Sequence, residues 1–274
     1  MPPASGLRLV EGMLQSSHRV RRADALALIF AGAILAIFVT LHHAEFPVAG
    51  RKVLTALAIT AIFAVLAWFA GGVNVSGALA GSAVAFIMAV RDLRMFLALL
   101  VVFAVTLVAT RIGYARKQQL RAAEPPGGRT AAQAMANLGV AALVVAIAAP
   151  GWPLLALAAL AEAAADTGSS EIGMAFPSRT VLITNFKFVQ PGTDGGISLL
   201  GTMAALLCAA AIALTAFFSG LIPVRYAVEI IAAGFLGALI DSLLGALLER
   251  RGYLNNDQVN LLSTAATAGI AWLL

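Results

Sequence analysis

Four carboxylates fall within long apolar runs of this 274-residue chain: Glu162, Asp166, Glu229 and Asp241. A carboxylate near the centre of a bilayer costs about 2.5 to 3.5 kcal/mol on insertion scales, so each needs compensation. Glu162 and Asp166 are four residues apart and share one face of a helix. Glu171 follows in what reads as the adjoining loop, and Asp241 approaches the same side from a later segment. Like charges at one depth repel unless a cation sits between them. Mg²⁺ suits such a set, because it takes oxygen from a few carboxylates and keeps positions for substrate phosphates. The alternative is that each carboxylate pairs with a nearby Arg or hydroxyl for packing alone. Glu229, with Arg225 one turn away, reads as a structural ion pair.

A second group of residues could bind phosphate. Three predicted helices start through small polar sequences: Asn74-Val75-Ser76-Gly77, Gly192-Thr193-Asp194-Gly195-Gly196-Ile197-Ser198 and Asn255-Asn256-Asp257-Gln258-Val259-Asn260. Free N–H groups and the positive dipole end attract anions there, although ordinary helix capping uses the same residue types. The glycine run lacks the Gly-Lys-Ser/Thr ending of a P-loop. Lys187, just upstream in Thr184-Asn185-Phe186-Lys187, could neutralise a transferring phosphate together with Arg179, or could simply set topology. Asn137, about two turns inside its helix, could be a ligand or an interhelical contact.

The elements that carry these groups follow from composition. Hydrophobic residues make up 61% and charged residues 11% of the chain, with a mean hydropathy of +0.94. A soluble domain carries about 25% charged residues, so the excess apolar surface must face lipid, which excludes a soluble or secreted enzyme. The single cysteine, Cys208, excludes an internal disulfide, and no paired Cys/His spacing suggests zinc or an iron–sulfur cluster. The three histidines lie away from the acidic residues, so no Ser/His/Asp set forms. A crossing helix needs about 20 apolar residues, and spans are expected near 24–41, 53–71, 73–90, 95–110, 131–149, 152–167, 197–222, 226–249 and 257–274. The segment 152–167 is short and acidic at its end, which also allows a half-helix buried by its neighbours. The expected fold class is therefore all-α: a polytopic membrane helix bundle with about nine transmembrane helices, N-terminus inside and C-terminus outside.

Charge placement supports this topology. Arg8, Arg19, Arg21, Arg22, Arg111, Arg116, Lys117, Arg121, Arg129, Arg179, Lys187, Arg250 and Arg251 fall on the cytoplasmic side. Only Arg51, Lys52, Arg91, Arg94 and Arg225 fall on the other. That asymmetry is the positive-inside pattern, so the net charge of +5 calls for no nucleic-acid partner. Residues 1–23 read as a basic cytoplasmic segment leading into an uncleaved anchor, and 24–274 as one membrane domain. Its cytoplasmic loops, near 111–130 and 168–196, are too short to fold alone. Arg116, Lys117 and Arg121 suit an anionic leaflet.

The motifs together suggest a family. The run Ala165-Asp166-Thr167-Gly168-Ser169-Ser170-Glu171-Ile172-Gly173, then Ile183-Thr184-Asn185-Phe186-Lys187, then Pro191 to Thr202, resembles the integral membrane family of transmembrane protein 19 and the plant phytyl-phosphate kinase. Arg129-Thr130 with Ala136-Asn137-Leu138-Gly139, Leu239-Ile240-Asp241-Ser242-Leu243-Leu244-Gly245, and Asn256-Asp257 with Val259-Asn260 extend the likeness over most of the chain from about residue 75. The chain departs from the family at Gly168, where Trp is common, and at Asn185, where a second Thr is common.

The resemblance implies an enzyme that transfers a phosphoryl group from a nucleoside triphosphate, with CTP expected, to an isoprenyl monophosphate such as phytyl or geranylgeranyl phosphate. Joined to the residue reading, it implies catalysis by Asp166, Glu171, Lys187 and Asp241, and Mg²⁺ held by Asp166, Glu171, Asp241 and Glu162. Substrate contacts would come from Asn137, Thr167, Ser170, Thr184, Gly192, Thr193, Gly195, Gly196, Ser198, Asn256 and Asn260. The implied setting is a bacterial inner membrane with the site facing the cytoplasm. Expected partners are the nucleotide, the prenyl-phosphate lipid and bilayer lipid, and a homo-oligomer is compatible. Two other readings use the same residues: a transporter or flippase of a small or lipid-linked anion, and a cytidylyltransferase that makes a CDP-lipid.

Overall fold

The computed structural model describes the backbone of residues 4–46 and 50–274, and side chains from Val20 onward apart from 47–49. The basic residues Arg8 and Arg19 of the expected cytoplasmic segment lie outside the described side chains. Helix α1 spans Ala4–His42, α2 Gly50–Phe69, α3 Val75–Arg91, α4 Leu93–Arg111, α5 Tyr114–Gln119, α6 Ala131–Ile147, α7 Trp152–Ala175, α8 Leu199–Phe218, α9 Val224–Leu244 and α10 Asn256–Leu273. Each of the nine segments expected to be helical coincides with a helix, and α5 is an additional short one within the first loop. By length and composition, Val20–Glu45, Gly50–Phe69, Leu93–Arg111, Leu199–Phe218 and Val224–Glu249 can cross a membrane, as a polytopic membrane bundle requires.

Four features differ from the sequence expectation. Helix α1 begins at Ala4 and runs through most of the basic segment 1–23. Residues 180–198 contain a small antiparallel sheet of β1 (Thr180–Leu182), β2 (Phe188–Val189) and β3 (Gly196–Ser198) in the order β2-β1-β3, so the chain is not purely helical. Helix α7 is neither a half-helix nor finished at 167: it runs to Ala175, which places Glu171 on the helix. Arg225 also does not pair with Glu229 as expected. Its guanidinium lies over the Tyr226 ring, 4.5 Å from the centroid.

Helix α7 is the axis of the bundle, packed against α4, α6, α8, α9 and α10. Its run of Ala156, Ala158, Ala159, Ala161, Ala163, Ala164 and Ala165 is buried almost completely. Small side chains let neighbouring helices approach closely where lipid gives no hydrophobic drive for association. Glycines on α9 do the same from the other side. A Cβ at Gly234 would come within 2.8 Å of the Ala161 Cβ, and one at Gly237 within 2.5 Å of the Glu162 Cγ. Surrounded by protein, α7 can carry three carboxylates that a lipid-facing helix could not.

Candidate active site

The continuation of α7 lines up Asp166, Thr167, Ser170 and Glu171 along one wall of a cavity of about 280 Å³. The remaining walls come from the Arg129 segment, the start of α6, the Pro191–Ser198 turn, the start of α8, the end of α9 and the start of α10. These are the segments that the charge pattern placed on a single side of the membrane. Asn137, Gly192, Thr193, Gly195, Gly196, Ser198, Asp241, Asn256 and Asn260 all reach this wall. Glu162, Thr184 and Lys187 do not. Thr184 and Lys187 sit exposed in the β1–β2 turn, where the Asn185 side chain accepts a 3.0 Å bond from the Lys187 N–H and the Leu182 N–H closes the hairpin on the Lys187 carbonyl at 2.9 Å.

Asp241 is held from several sides. Ser263 Oγ donates to its Oδ2 at 3.1 Å. With the Asn260 amide oriented to satisfy its neighbours, its nitrogen donates to the same oxygen at 3.2 Å and its oxygen accepts from Asn137 Nδ2 at 3.1 Å. Asn137 Nδ2 also donates to the Gln133 carbonyl at 2.9 Å. A polar chain thus runs from α6 through α10 to α9 and fixes one carboxylate. Asp166 lines the same cavity as Asp241. Glu162, one turn back on α7 and 1% exposed, has no hydrogen-bond partner at either carboxyl oxygen.

Glu171 is committed differently from the expectation. Its Oε2 accepts from Lys117 Nζ at 2.5 Å and its Oε1 from Thr110 Oγ1 at 3.2 Å. Lys117, expected at a lipid surface, is fully buried; its ammonium also donates to the carbonyls of Ala109 at 2.9 Å and Thr110 at 2.7 Å. All three protons of the ammonium are thereby used, as burial of that charge demands.

The glycine run is shaped first by packing. Gly192 and Gly195 adopt positive φ, and a Cβ at Gly195 would lie 2.6 Å from the Ala246 backbone. The N–H groups of Thr193 and Gly196 are spent within the turn, on Gln190 and Thr193 carbonyls at 3.2 and 2.8 Å. Of the three helix starts read from the sequence as anion sites, those of α8 and α10 border the cavity. The start of α3 instead clamps the Arg129 segment: Asn74 N–H donates to the Arg129 carbonyl at 3.0 Å, and Arg129 N–H to the Gly72 carbonyl at 3.0 Å.

Arg129 was read from sequence as one more basic loop residue. Here it is the guanidinium on the cavity wall, beside Glu124, Asp166, Glu171, Asp194, Asp241 and Glu249, and its Nε is buried without a partner. A wall so rich in carboxylates admits a polyphosphate only together with cations. Among the described residues no three Asp, Glu, His or Cys side chains close on one point as a metal cage would. The Asp166–Asp241 pair fits Mg²⁺, which binds through one or two carboxylates and completes its shell with phosphate and water.

Fold and site together define an integral membrane protein with a polar cavity at one end of its helices. The chain belongs to the family described as integral membrane protein DUF92, whose model matches residues 58–268. It is 36% identical over 171 residues to an uncharacterized membrane protein, MJ0933, of Methanocaldococcus jannaschii, covering 61% of this chain and 70% of that one. It is 29% identical over 232 residues to Protein PGR of Arabidopsis thaliana, covering 74% and 81%. To the chloroplastic Protein VTE6 of the same plant it is 38% identical over 112 residues, covering 40% of this chain and 34% of that protein. No solved structure matches the chain.

Proposed function

We propose that the protein is a membrane kinase that transfers the terminal phosphoryl group of a nucleoside triphosphate, CTP by expectation, to an isoprenyl monophosphate. The observation that carries this reading is that Asp166 and Asp241, the latter fixed by Ser263 and Asn260, line one cavity that also presents one guanidinium. Family likeness supports it, through the motifs shared with phytyl-phosphate kinase and the partial match to Protein VTE6. The excess of basic residues on the side of the cavity supports a site open to the cytoplasm.

Phosphoryl transfer depends on positioning and charge neutralisation more than on covalent chemistry. Asp166 and Asp241 would hold Mg²⁺, which when bound neutralises phosphate charge. The starts of α8 and α10, with Asn256 and Asn260, border the space for the triphosphate. Arg129, on the cavity wall, binds the acceptor phosphate through its guanidinium. An oxygen of that phosphate forms the new bond to the terminal phosphorus as the bond to the bridging oxygen breaks, and the nucleoside diphosphate leaves with the electron pair. The acceptor is already anionic, so no strong base is needed. Glu171, tied to Lys117, keeps the α7 wall in place.

Purified protein given Mg²⁺, CTP and geranylgeranyl phosphate should release CDP and form geranylgeranyl diphosphate. Release of pyrophosphate with a CDP-lipid would replace this reading by the cytidylyltransferase. Absence of either product, with accumulation of a lipid phosphate across proteoliposomes, would replace it by the carrier.

A further inference from the structure

Beside the polar cavity lies a second, apolar groove of about 80 Å³ between α2, α3, α4 and α6. Phe63 and Ala67 of α2, Gly77 and Gly81 of α3, and Leu99 and Phe103 of α4 line it. Phe63 and Phe103 meet edge to face, with centroids 5.2 Å apart. Of its polar residues, Arg129, Gln133, Asn137 and Thr167 belong at once to this groove and to the acidic cavity, while Ser82 and Thr106 belong to the groove alone. Ser82, also on the wall, spends its hydroxyl on the Ala78 carbonyl at 2.7 Å. The groove is therefore a mostly apolar recess, and four of its six hydroxyl, amide or charged residues lie on the wall it shares with the cavity, where a buried guanidinium nitrogen lacks a partner. Its outer wall, α2, is among the least enclosed helices, with 17% of its apolar window buried, so the recess adjoins lipid.

We propose that this groove holds the part of the acceptor's hydrocarbon chain nearest the phosphate, with the phosphate on Arg129 and the rest of the chain in the bilayer. The inference rests on the kinase reading for the identity of the acceptor. Its occupant follows from continuity: an amphiphile with an anionic head and an apolar tail matches a polar wall that opens directly into an apolar recess. Gly81 is one turn from Gly77, about 6 Å along the axis, and Gly77 packs against the Arg129 carbonyl. A side chain at Gly81 would therefore meet the chain close to the head. A Cβ there has nothing within 4 Å, so a larger residue enters the groove without displacing protein.

The test is binding of tritiated geranylgeranyl phosphate to the detergent-purified protein without nucleotide, followed by kinetics with MgCTP. Gly81→Leu should bind the lipid about tenfold more weakly or worse, the scale of one apolar contact in a pocket, with the KM for CTP unchanged. Leu79→Ala on the exposed face of the same helix should bind as wild type. If Gly81→Leu lowers the melting temperature, Ser82→Leu fills the same recess and must show the same loss. Wild-type lipid affinity in the folded groove variants, or no lipid binding by the wild type, overturns the groove assignment. Lipid binding that Gly81→Leu weakens, without phosphoryl transfer on adding CTP, would leave the groove standing and remove the kinase reading.

Discussion

At the scale of single residues, the carboxylates divide by what holds them. Asp241 is bonded to Ser263 and Asn260, whereas Glu171 is locked to a buried ammonium. Removing one partner of a buried pair leaves an uncompensated charge and costs about 3 to 5 kcal/mol, while replacing both is often neutral. Lys117→Met should therefore lower the unfolding free energy in detergent by that amount, and Lys117→Met with Glu171→Gln should recover most of it. Equal stability of Lys117→Met and wild type would show that the pair is not structural. Asp166 and Asp241 were legible in the sequence because a carboxylate inside an apolar run demands a reason. Lys117 and Arg129 were not, because a basic loop residue in a membrane protein is expected to mark topology. Only the fold shows that one is buried against Glu171 and the other turned to the cavity.

At the scale of elements, the bundle was legible from apolar run lengths, and the length of α7 was not. Asp166-Thr167-Gly168-Ser169-Ser170 has weak helix propensity, which suggests a loop. Tertiary packing overrides it: a Cβ at Gly168 would collide with the Cys208 sulfur of α8, so the glycine is what lets α8 lie against α7. Ser169 and Ser170 turn their hydroxyls onto the Asp166 and Thr167 carbonyls at 2.9 and 3.2 Å. The sheet was hidden because its strands are two or three residues long. Far from the cavity, Asp92 caps α4 by accepting from the Arg94 N–H at 2.9 Å, and its carboxylate pairs with the Arg94 guanidinium at 2.7 Å. That guanidinium also donates to the Gly220 carbonyl at 2.8 Å, tying the α3–α4 corner to the α8–α9 turn. The Arg94 hydrogen bonds hold the Asp92 carboxyl below its ordinary value. Its stabilisation is thus present above the unfolded aspartate value, about 3.9, and is lost as pH falls through the lower folded value. Asp92→Ala should cost about 1 kcal/mol near neutral pH, the usual worth of such a cap. Thermal melts in detergent should show that difference shrinking as the solution is acidified; a pH-independent difference would contradict the role given to the charge.

At the scale of the whole molecule, apolar helices face outward, with Leu54, Ile62, Leu207 and Val228 more than 60% exposed, around an alanine-rich axis that bears the charge. Composition made the lipid setting legible; it could not reveal that acidic cavity and apolar groove share a wall, because their residues come from eight helices remote in sequence. That shared wall is what a water-borne nucleotide and a membrane-held acceptor require, and the Asp166–Asp241 pair stands on its polar side. The direct measurement is transfer of label from γ-³²P-CTP to geranylgeranyl phosphate by wild type, Asp166→Asn and Asp241→Asn, each checked for an unchanged melting profile. The account predicts labelled diphosphate from the wild type and a loss of about 100-fold or more in each variant, the scale of removing a group that stabilises transferring charge. Wild-type rates in both folded variants would contradict it.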